Sequence, residues 1–288
     1  MKKKLLLAIV IATMIGCSKD ESTNSGGSQI NKVEIYTSGY LKSTTHYQYD
    51  SNDNIKKIIF EEDQYTTTIT EFFYNGNEIT SYVKTRTSDF GGLNVTEDTF
   101  SFTLNANNNF DYLCIDRIES STYDGQTDID YYKDKVEVEY GSNNLPTTFT
   151  HYYPRNYYLD NPITCSDVTS VDFTEDLEYT NGNMTYYYGG GDFFFGDTHL
   201  VYEYDTKNHP LKNIKPDCVR NGLGFSTKNN IIKGYIYDHN TNELEQNINY
   251  TYEFNSDNYP TKVIKKTIDA TNSPINFNST VEYRYYYN

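Results

Sequence analysis

The sequence contains no tryptophan, only four cysteines and seven prolines, and 24 basic residues against 40 acidic ones. Each scarcity excludes something. The formal charge of 24 − 40 = −16 repels nucleic-acid phosphates and anionic headgroups, so DNA, RNA and a basic membrane-docking face are set aside. Aliphatic residues are scarce too. Past residue 16, Leu, Ile, Val and Phe make up about a fifth of the chain, close to the level at which a charged sequence stays disordered. Helix periodicity is missing as well, with no amphipathic run of ten or more residues beyond the N-terminal segment. What is abundant is tyrosine, at 31 residues. Each supplies a large ring for burial and a hydroxyl that needs a partner, which predicts an aromatic, half-wet core.

The N-terminus has an order of its own. Lys2, Lys3 and Lys4 precede an apolar run from Leu5 to Ile15, followed by Gly16 and Cys17. The run is too short to span a bilayer but suits a secretory signal peptide. Met14-Ile15-Gly16-Cys17 resembles a bacterial lipobox, which implies cleavage before Cys17 and a diacylated, palmitate-bearing cysteine anchored in the lipid bilayer. Residues 1–16 are thus read as signal peptide and 17–30 as lipidated cysteine and flexible tether. About a dozen polar residues reach on the order of 20 Å. Lys19-Asp20-Glu21 resembles the signal that exports Bacteroidota lipoproteins across the outer membrane to the cell surface. Without the three leader lysines the charge becomes 21 − 40 = −19.

From residue 31 to 288 one pattern recurs: an alternating strand ending in an aromatic, then a polar turn. Tyr140 to Pro146, Tyr204 to Pro210 and Phe254 to Pro260 share an aromatic at the first place, asparagine at the fifth and proline at the seventh. Tyr49 to Ile55 keeps the polar turn without proline, and two shorter copies at Tyr74 and Tyr179 carry Asn-Gly, suited to a type I′ hairpin. Flanking runs such as Tyr250-Thr251-Tyr252-Glu253-Phe254 and Val281-Glu282-Tyr283-Arg284-Tyr285 place rings on one sheet face and charges on the other. The expected fold is one all-β domain over 31–288, an antiparallel meander of well over ten strands curled into a barrel-like or open rolled sheet. The three proline turns are expected to be equivalent hairpin tips. A membrane-spanning barrel is disfavoured, because its outward band would have to be aliphatic.

Tyr49-Asp50 and Tyr204-Asp205, each followed by a turn, resemble the YD (Rhs-type) repeat. With the lipobox, residues 31–288 are similar to uncharacterised Bacteroidota surface lipoproteins with degenerate YD-like hairpins, including a domain family described as porin-like in fold. The resemblance implies a curled or barrel-like sheet and no catalytic residues.

Candidate sites are few. Cys114 alternates within a strand and reads as a buried thiol. Cys165 and Cys218 lie in irregular, proline-containing stretches, which makes them the expected disulfide. Asp50, Asn52, Asn54 and Glu61 match places in a calcium loop, but Ile55 stands where glycine is required, so a hairpin turn explains them better. Asp124, Asp128, Asp130 and Asp134 read as a charged strand edge. His46, His151, His199, His209 and His239 show no metal-ligand spacing, and His209 fills a turn position. No pattern implies a cofactor, a nucleophile or a phosphate loop. Tyr186, Tyr187, Tyr188, Phe193, Phe194 and Phe195 flank a triglycine and form the candidate ligand platform, set against a plain glycine-rich connection with alternating rings. Residues 154–175 and 215–230 are the longest irregular stretches and the first places to look for a site.

These readings combine into a lipid-anchored, non-catalytic cell-surface protein that binds an extracellular glycan or protein. The alternatives are an assembly lipoprotein partnered with an outer-membrane protein and a surface glycan hydrolase.

Overall fold

Period-two alternation of tyrosine with charge builds the wall of this protein. In the computed structural model, residues 29–62, 65–76, 78–89, 92–104, 110–142, 145–189, 198–215, 227–271 and 278–288 are described. The strands are β1 (Ile30–Thr37), β2 (Tyr40–Tyr49), β3 (Ile55–Glu62), β4 (Thr66–Asn75), β5 (Glu78–Asp89), β6 (Leu93–Leu104), β7 (Phe110–Tyr123) and β8 (Gln126–Tyr140). They continue as β9 (Pro146–Asn156), β10 (Val171–Thr180), β11 (Asn183–Gly189), β12 (Thr198–Asn208), β13 (Asn229–Asp238), β14 (Leu244–Phe254), β15 (Pro260–Asp269) and β16 (Ser279–Tyr287). Each pairs antiparallel with its sequence neighbours, and β1 pairs with β16, so the sheet closes into a barrel. Closure decides between the two expected outcomes, barrel and open roll.

Register assigns the faces. Val33 pairs with Tyr285 and Thr45, and Ile35 with Tyr283 and Ser43, all pointing inward. Carried round the ladder, the inner face takes Tyr47, Ile58, Phe60, Phe72, Tyr82, Phe100, Ile115, Val136, Phe149, Leu177, Tyr187, Tyr202, Ile248, Tyr250 and Val263. The outer face takes Glu34, Lys57, Glu71, Glu97, Asp116, Lys133, Glu137, Asp176, Glu203, Lys233, Glu253, Lys262 and Arg284, interspersed with threonine. The described outer wall therefore lacks the continuous apolar band by which a barrel sits in lipid. Tyr202, Tyr250, Tyr283 and Tyr285 face inward and are mostly, not fully, buried. Sixteen strands is a size at which barrels in general enclose more space than side chains fill.

Five tyrosines, three of which (Tyr49, Tyr74 and Tyr204) begin a turn motif, share a task at one end of the barrel. The Tyr49 hydroxyl donates to the Ile30 carbonyl (2.7 Å), Tyr74 to Ile55 (2.6 Å), Tyr252 to Ile231 (2.5 Å) and Tyr287 to Pro260 (2.8 Å). Tyr204 makes the same bond to the Met184 carbonyl. Every acceptor lies at or near the start of an earlier strand, so the phenols clasp neighbouring hairpins together. The turns beyond them share one geometry. Asp50, Gly141 and Asn255 each donate their backbone N–H to the carbonyl four residues on. Asp50 and Asn255 also accept backbone N–H groups on their side chains. Asp53 and Asn258, both at the fifth place, have φ of 64° and 62°. Asparagine and aspartate tolerate this left-handed region, which explains the residue type found there. Asn181 and Gly182 are both left-handed, as a type I′ turn requires.

Pro146 and Pro260 start β9 and β15, as expected of hairpin tips. The Pro210 copy departs from the pattern. After β12 the segment 209–215 turns away from β13 and crosses the barrel end. There Lys215 bridges to Asn54, and its carbonyl accepts the Ile55 N–H at 2.8 Å, on the nearly opposite wall. Leu211 (3 % exposed) and Ile214 (1 %) enter the core with Ile30, Ile55, Ile79, Phe110 and Phe149. His209 is buried and its Nδ1 accepts the Leu211 N–H, so it is part of a floor and not turn filler. The last residue and the first described one meet at this same end, where Asn288 N–H donates to the Gln29 carbonyl.

Residues 157–170 form a strap over the outer face of β7 and β8. Tyr157 donates to Asp116 at 3.2 Å, Val168 is fully buried, and Cys165 forms a disulfide with Cys114, with Cα atoms 5.8 Å apart. This corrects the expected Cys165–Cys218 pairing: Cys165 is bonded to Cys114, and Cys218 lies outside the described residues. The physical reason is the strap's path, which lays residue 165 on the outward-facing Cys114. The acidic run is corrected too. A closed barrel has no edge there: Asp128, Asp130 and Asp134 line the inner face of β8, and Asp124 occupies a left-handed turn position.

Tyr74→Phe is expected to lower unfolding free energy by about 1 kcal/mol, by orphaning the Ile55 carbonyl. Tyr40→Phe, on an exposed ring, should leave the denaturant midpoint unchanged. Removing the disulfide with Cys165→Ser should cost about 2–4 kcal/mol, since it closes a 51-residue separation, and should make the strap the first site of protease cleavage.

Candidate functional site

The candidate platform is divided by the sheet. Tyr187 pairs with Leu177 and Leu200 and points inward, while Tyr186 and Tyr188 pair with Glu178 and His199 and point outward. Phe193, Phe194 and Phe195 lie outside the described residues. On the outer wall the tyrosines join rings the sequence did not connect. Tyr188 stacks on His239 at 3.8 Å, His199 on Tyr237 at 5.1 Å, and Tyr186 lies 5.4 Å from His199. These rings spend their faces on one another, which leaves edges for solvent. Burial, then His239, pushes the His199 imidazole below its ordinary range. Near the strap, Tyr152 donates to Glu137 and Tyr157, at the strap's start, donates to Asp116, whereas Tyr153 and Tyr158 are exposed.

Inside the barrel the strands β5 to β11 carry a row of ionisable groups. Alternation puts Lys84 opposite Asp98, and Asp98 opposite Arg117. The Arg117 guanidinium grips Asp98 with Nε at 2.7 Å and Nη2 at 3.4 Å, and reaches Asp134 at 3.9 Å. Burial pushes the Lys84 ammonium down. Further round, the His151 imidazole stacks on Phe173 at 4.2 Å and places Nε2 3.6 Å from Glu175 Oε1, which accepts the Tyr187 hydroxyl at 3.2 Å. Gly189 faces Glu175 across the ladder, and a Cβ there would stand 2.6 Å from the Tyr187 oxygen. The glycine is what lets the phenol reach the carboxylate.

Three atoms on this wall are buried without a hydrogen-bond partner: Asp134 Oδ1, His151 Nε2 and Glu175 Oε2. Burial pushes the Asp134 carboxyl up to about 6, opposed by Arg117 and reinforced by Asp98, Glu119 and Asp172. Among the described residues no three His, Cys, Asp or Glu side chains converge to hold a metal ion. The row contains one residue of the sequence candidates for a ligand, Tyr187. Lys84, Asp98, Arg117, His151 and Glu175 were missed as a group, although Asp98-Thr99-Phe100-Ser101-Phe102 shows the signal: a charge on the same alternate as two rings.

Wall and row together define a closed meander barrel with a charged, threonine-rich exterior and a tyrosine-lined ionic lumen. Two solved structures are similar to it. A porin-like protein from Bacteroides uniformis ATCC 8492 aligns with a TM-score of 0.46 and 12 % identity, over 90 % of this chain and 98 % of that one. A porin-like protein from Bacteroides vulgatus ATCC 8482 aligns with a TM-score of 0.39 and 11 % identity, over 91 % and 99 %. No protein-family model and no curated protein matches the chain.

An aspartate whose folded pKa is raised favours the fold below its unfolded value near 4 and loses that contribution as pH rises through about 6. Asp134→Asn is therefore expected to raise the denaturant midpoint at pH 7.5. The gain should shrink by about 1 kcal/mol on lowering the pH to 5. Equal gains at the two pH values would contradict burial of an ionised Asp134.

Proposed function

We propose that this protein is a lipid-anchored, non-catalytic outer-membrane protein on the cell surface, binding an extracellular glycan within its barrel. The observation that carries the reading is the inner face. Partly buried tyrosine rings and hydroxyls line it, and together they suit the apolar faces and hydroxyl rims of sugar rings. The charged outer wall supports a tethered barrel over one immersed in lipid, with Cys17 as the acylated residue. The Cys114–Cys165 disulfide supports an oxidising compartment outside the cytoplasm. The floor formed by 209–215 supports a cup in preference to a conduit, since Leu211 and Ile214 occupy the end a solute would have to leave by. A protein ligand is the second reading, favoured by the rings exposed at Tyr153 and Tyr158 beside the strap.

Metabolic labelling with a palmitate analogue should tag the wild type and not Cys17→Ala, and protease added to intact cells should remove the protein. On a glycan array the full mature protein should bind a defined set of oligosaccharides without cleaving them. Loss of that binding in Tyr250→Ala but not in Tyr188→Ala would place the ligand inside the wall. Turnover of a bound glycan would overturn the non-catalytic assignment.

A further inference from the structure

We infer that the outer wall at the seam between β1 and β16 holds a binding site of its own, for an oligosaccharide that carries carboxylate groups. It faces away from the interior, so it stands apart from the glycan reading for the inner face. Three adjoining strands build it. On their outward alternates β15 presents Lys266 and Ile268, β16 presents Thr280, Glu282 and Arg284, and β1 presents Tyr36, around a recess of about 600 Å³. The β1–β2 turn lines it too. Ser38 and Gly39 are both left-handed there, and a Cβ on Gly39 would meet nothing within 4 Å, so the space over the turn is open.

Charge selects the ligand. In a chain of net charge −16, this recess carries two cations against one carboxylate. That carboxylate is already engaged: Glu282 Oε1 accepts Arg284 Nε at 2.7 Å, and Oε2 lies 3.7 Å from Lys262 Nζ. Arg284 rests one face on the Tyr36 ring at 4.3 Å, which holds the guanidinium in place while its two terminal nitrogens keep their N–H donors free of any described partner. A guanidinium edge of that kind matches the two oxygens of a carboxylate. Lys266 is exposed and has no ion pair or hydrogen bond with a described residue. It stands opposite Thr280, four residues before Arg284, so the two cations leave the wall roughly 13 Å apart along the strand. A chain of sugar rings can span that distance and offer one carboxylate to each. Densely sulfated or phosphorylated chains fit less well, because the local excess is a single positive charge on an acidic molecule. The remaining surface suits pyranose rings. Ile268 (45 % exposed) lines the recess, and Leu41 (52 %) pairs with Tyr36 beside it, giving apolar contact, while the exposed Thr280 supplies a hydroxyl.

The test uses one sugar backbone in two charge states: tetragalacturonate and its fully methyl-esterified counterpart, titrated calorimetrically into the full mature protein at neutral pH and low salt. The acid form is expected to bind at least about tenfold tighter, and its affinity to fall as salt is added. Lys266→Glu, at an exposed position with no described partner to lose, should fold as the wild type does and weaken the acid form by about tenfold or more. Arg284→Gln should do the same; if it destabilises the seam, Lys266→Glu alone decides. Lys233→Gln, elsewhere on the outer wall and paired with Glu203, should leave the affinity unchanged, as should Tyr250→Ala on the inner face. Equal affinity for the two tetrasaccharides, or acid binding that survives Lys266→Glu, overturns the site. Failure of both tetrasaccharides to bind overturns it as well, whereas the reading for the inner face is decided separately by the glycan array and Tyr250→Ala.

Discussion

A tyrosine hydroxyl reaching from one strand to a carbonyl at or near the start of an earlier one is the contact on which the barrel end depends. It repeats at Tyr49, Tyr74, Tyr204, Tyr252 and Tyr287. Each such bond contributes modestly, but it also satisfies a carbonyl that strand pairing leaves over. Phenylalanine would fill the same volume and leave that carbonyl bare. A chain poor in aliphatic residues can thus still define a floor, because its rings both exclude water and hold the strand starts in place. At these five places tyrosine has a duty that no other apolar side chain could fill.

Above the floor the same alternation has a different outcome. Inward rings such as Tyr202 and Tyr250 are less completely buried than the residues of the floor. Between β5 and β11 the inward places pass from apolar to charged, from Phe100 to Asp98 on β6 and from Ile115 to Arg117 on β7. One stretch of inner wall therefore has a dry layer below and an ionic layer above. Orphaned oxygens are tolerated there because the apolar layer beneath secures the wall.

Much of this was legible in the sequence. Alternation in runs such as Tyr250 to Phe254 assigned faces correctly, and the turn motif predicted the hairpins at Pro146 and Pro260. What was hidden depends on contacts far apart in the chain. Closure rests on β1 meeting β16, which no local pattern encodes. The Cys114–Cys165 bond depends on which wall the strap crosses, and the Pro210 segment became a floor because Leu211 and Ile214 are apolar where its sister copies are polar or enter a strand. The ionic row was divided among strands that the sequence separates by a dozen residues or more, so its members read singly as surface charge.

The seam between β1 and β16 has a consequence for how the molecule comes to exist. Lys32 lies 4.0 Å over the Tyr286 ring, Arg284 4.3 Å over Tyr36, and Tyr286 donates to Glu34 at 2.7 Å across 252 residues of sequence. Lys32 and Tyr286 hold the Glu34 carboxyl down to about 2, so the seam stays charged throughout the physiological pH range. Every other pairing joins consecutive strands and can form as soon as two of them are available, but this one must wait for the last nine residues of the wall. Until then the sheet carries two bare edges able to recruit foreign strands. The pairing of this single seam converts a ribbon with two open edges into a wall with none.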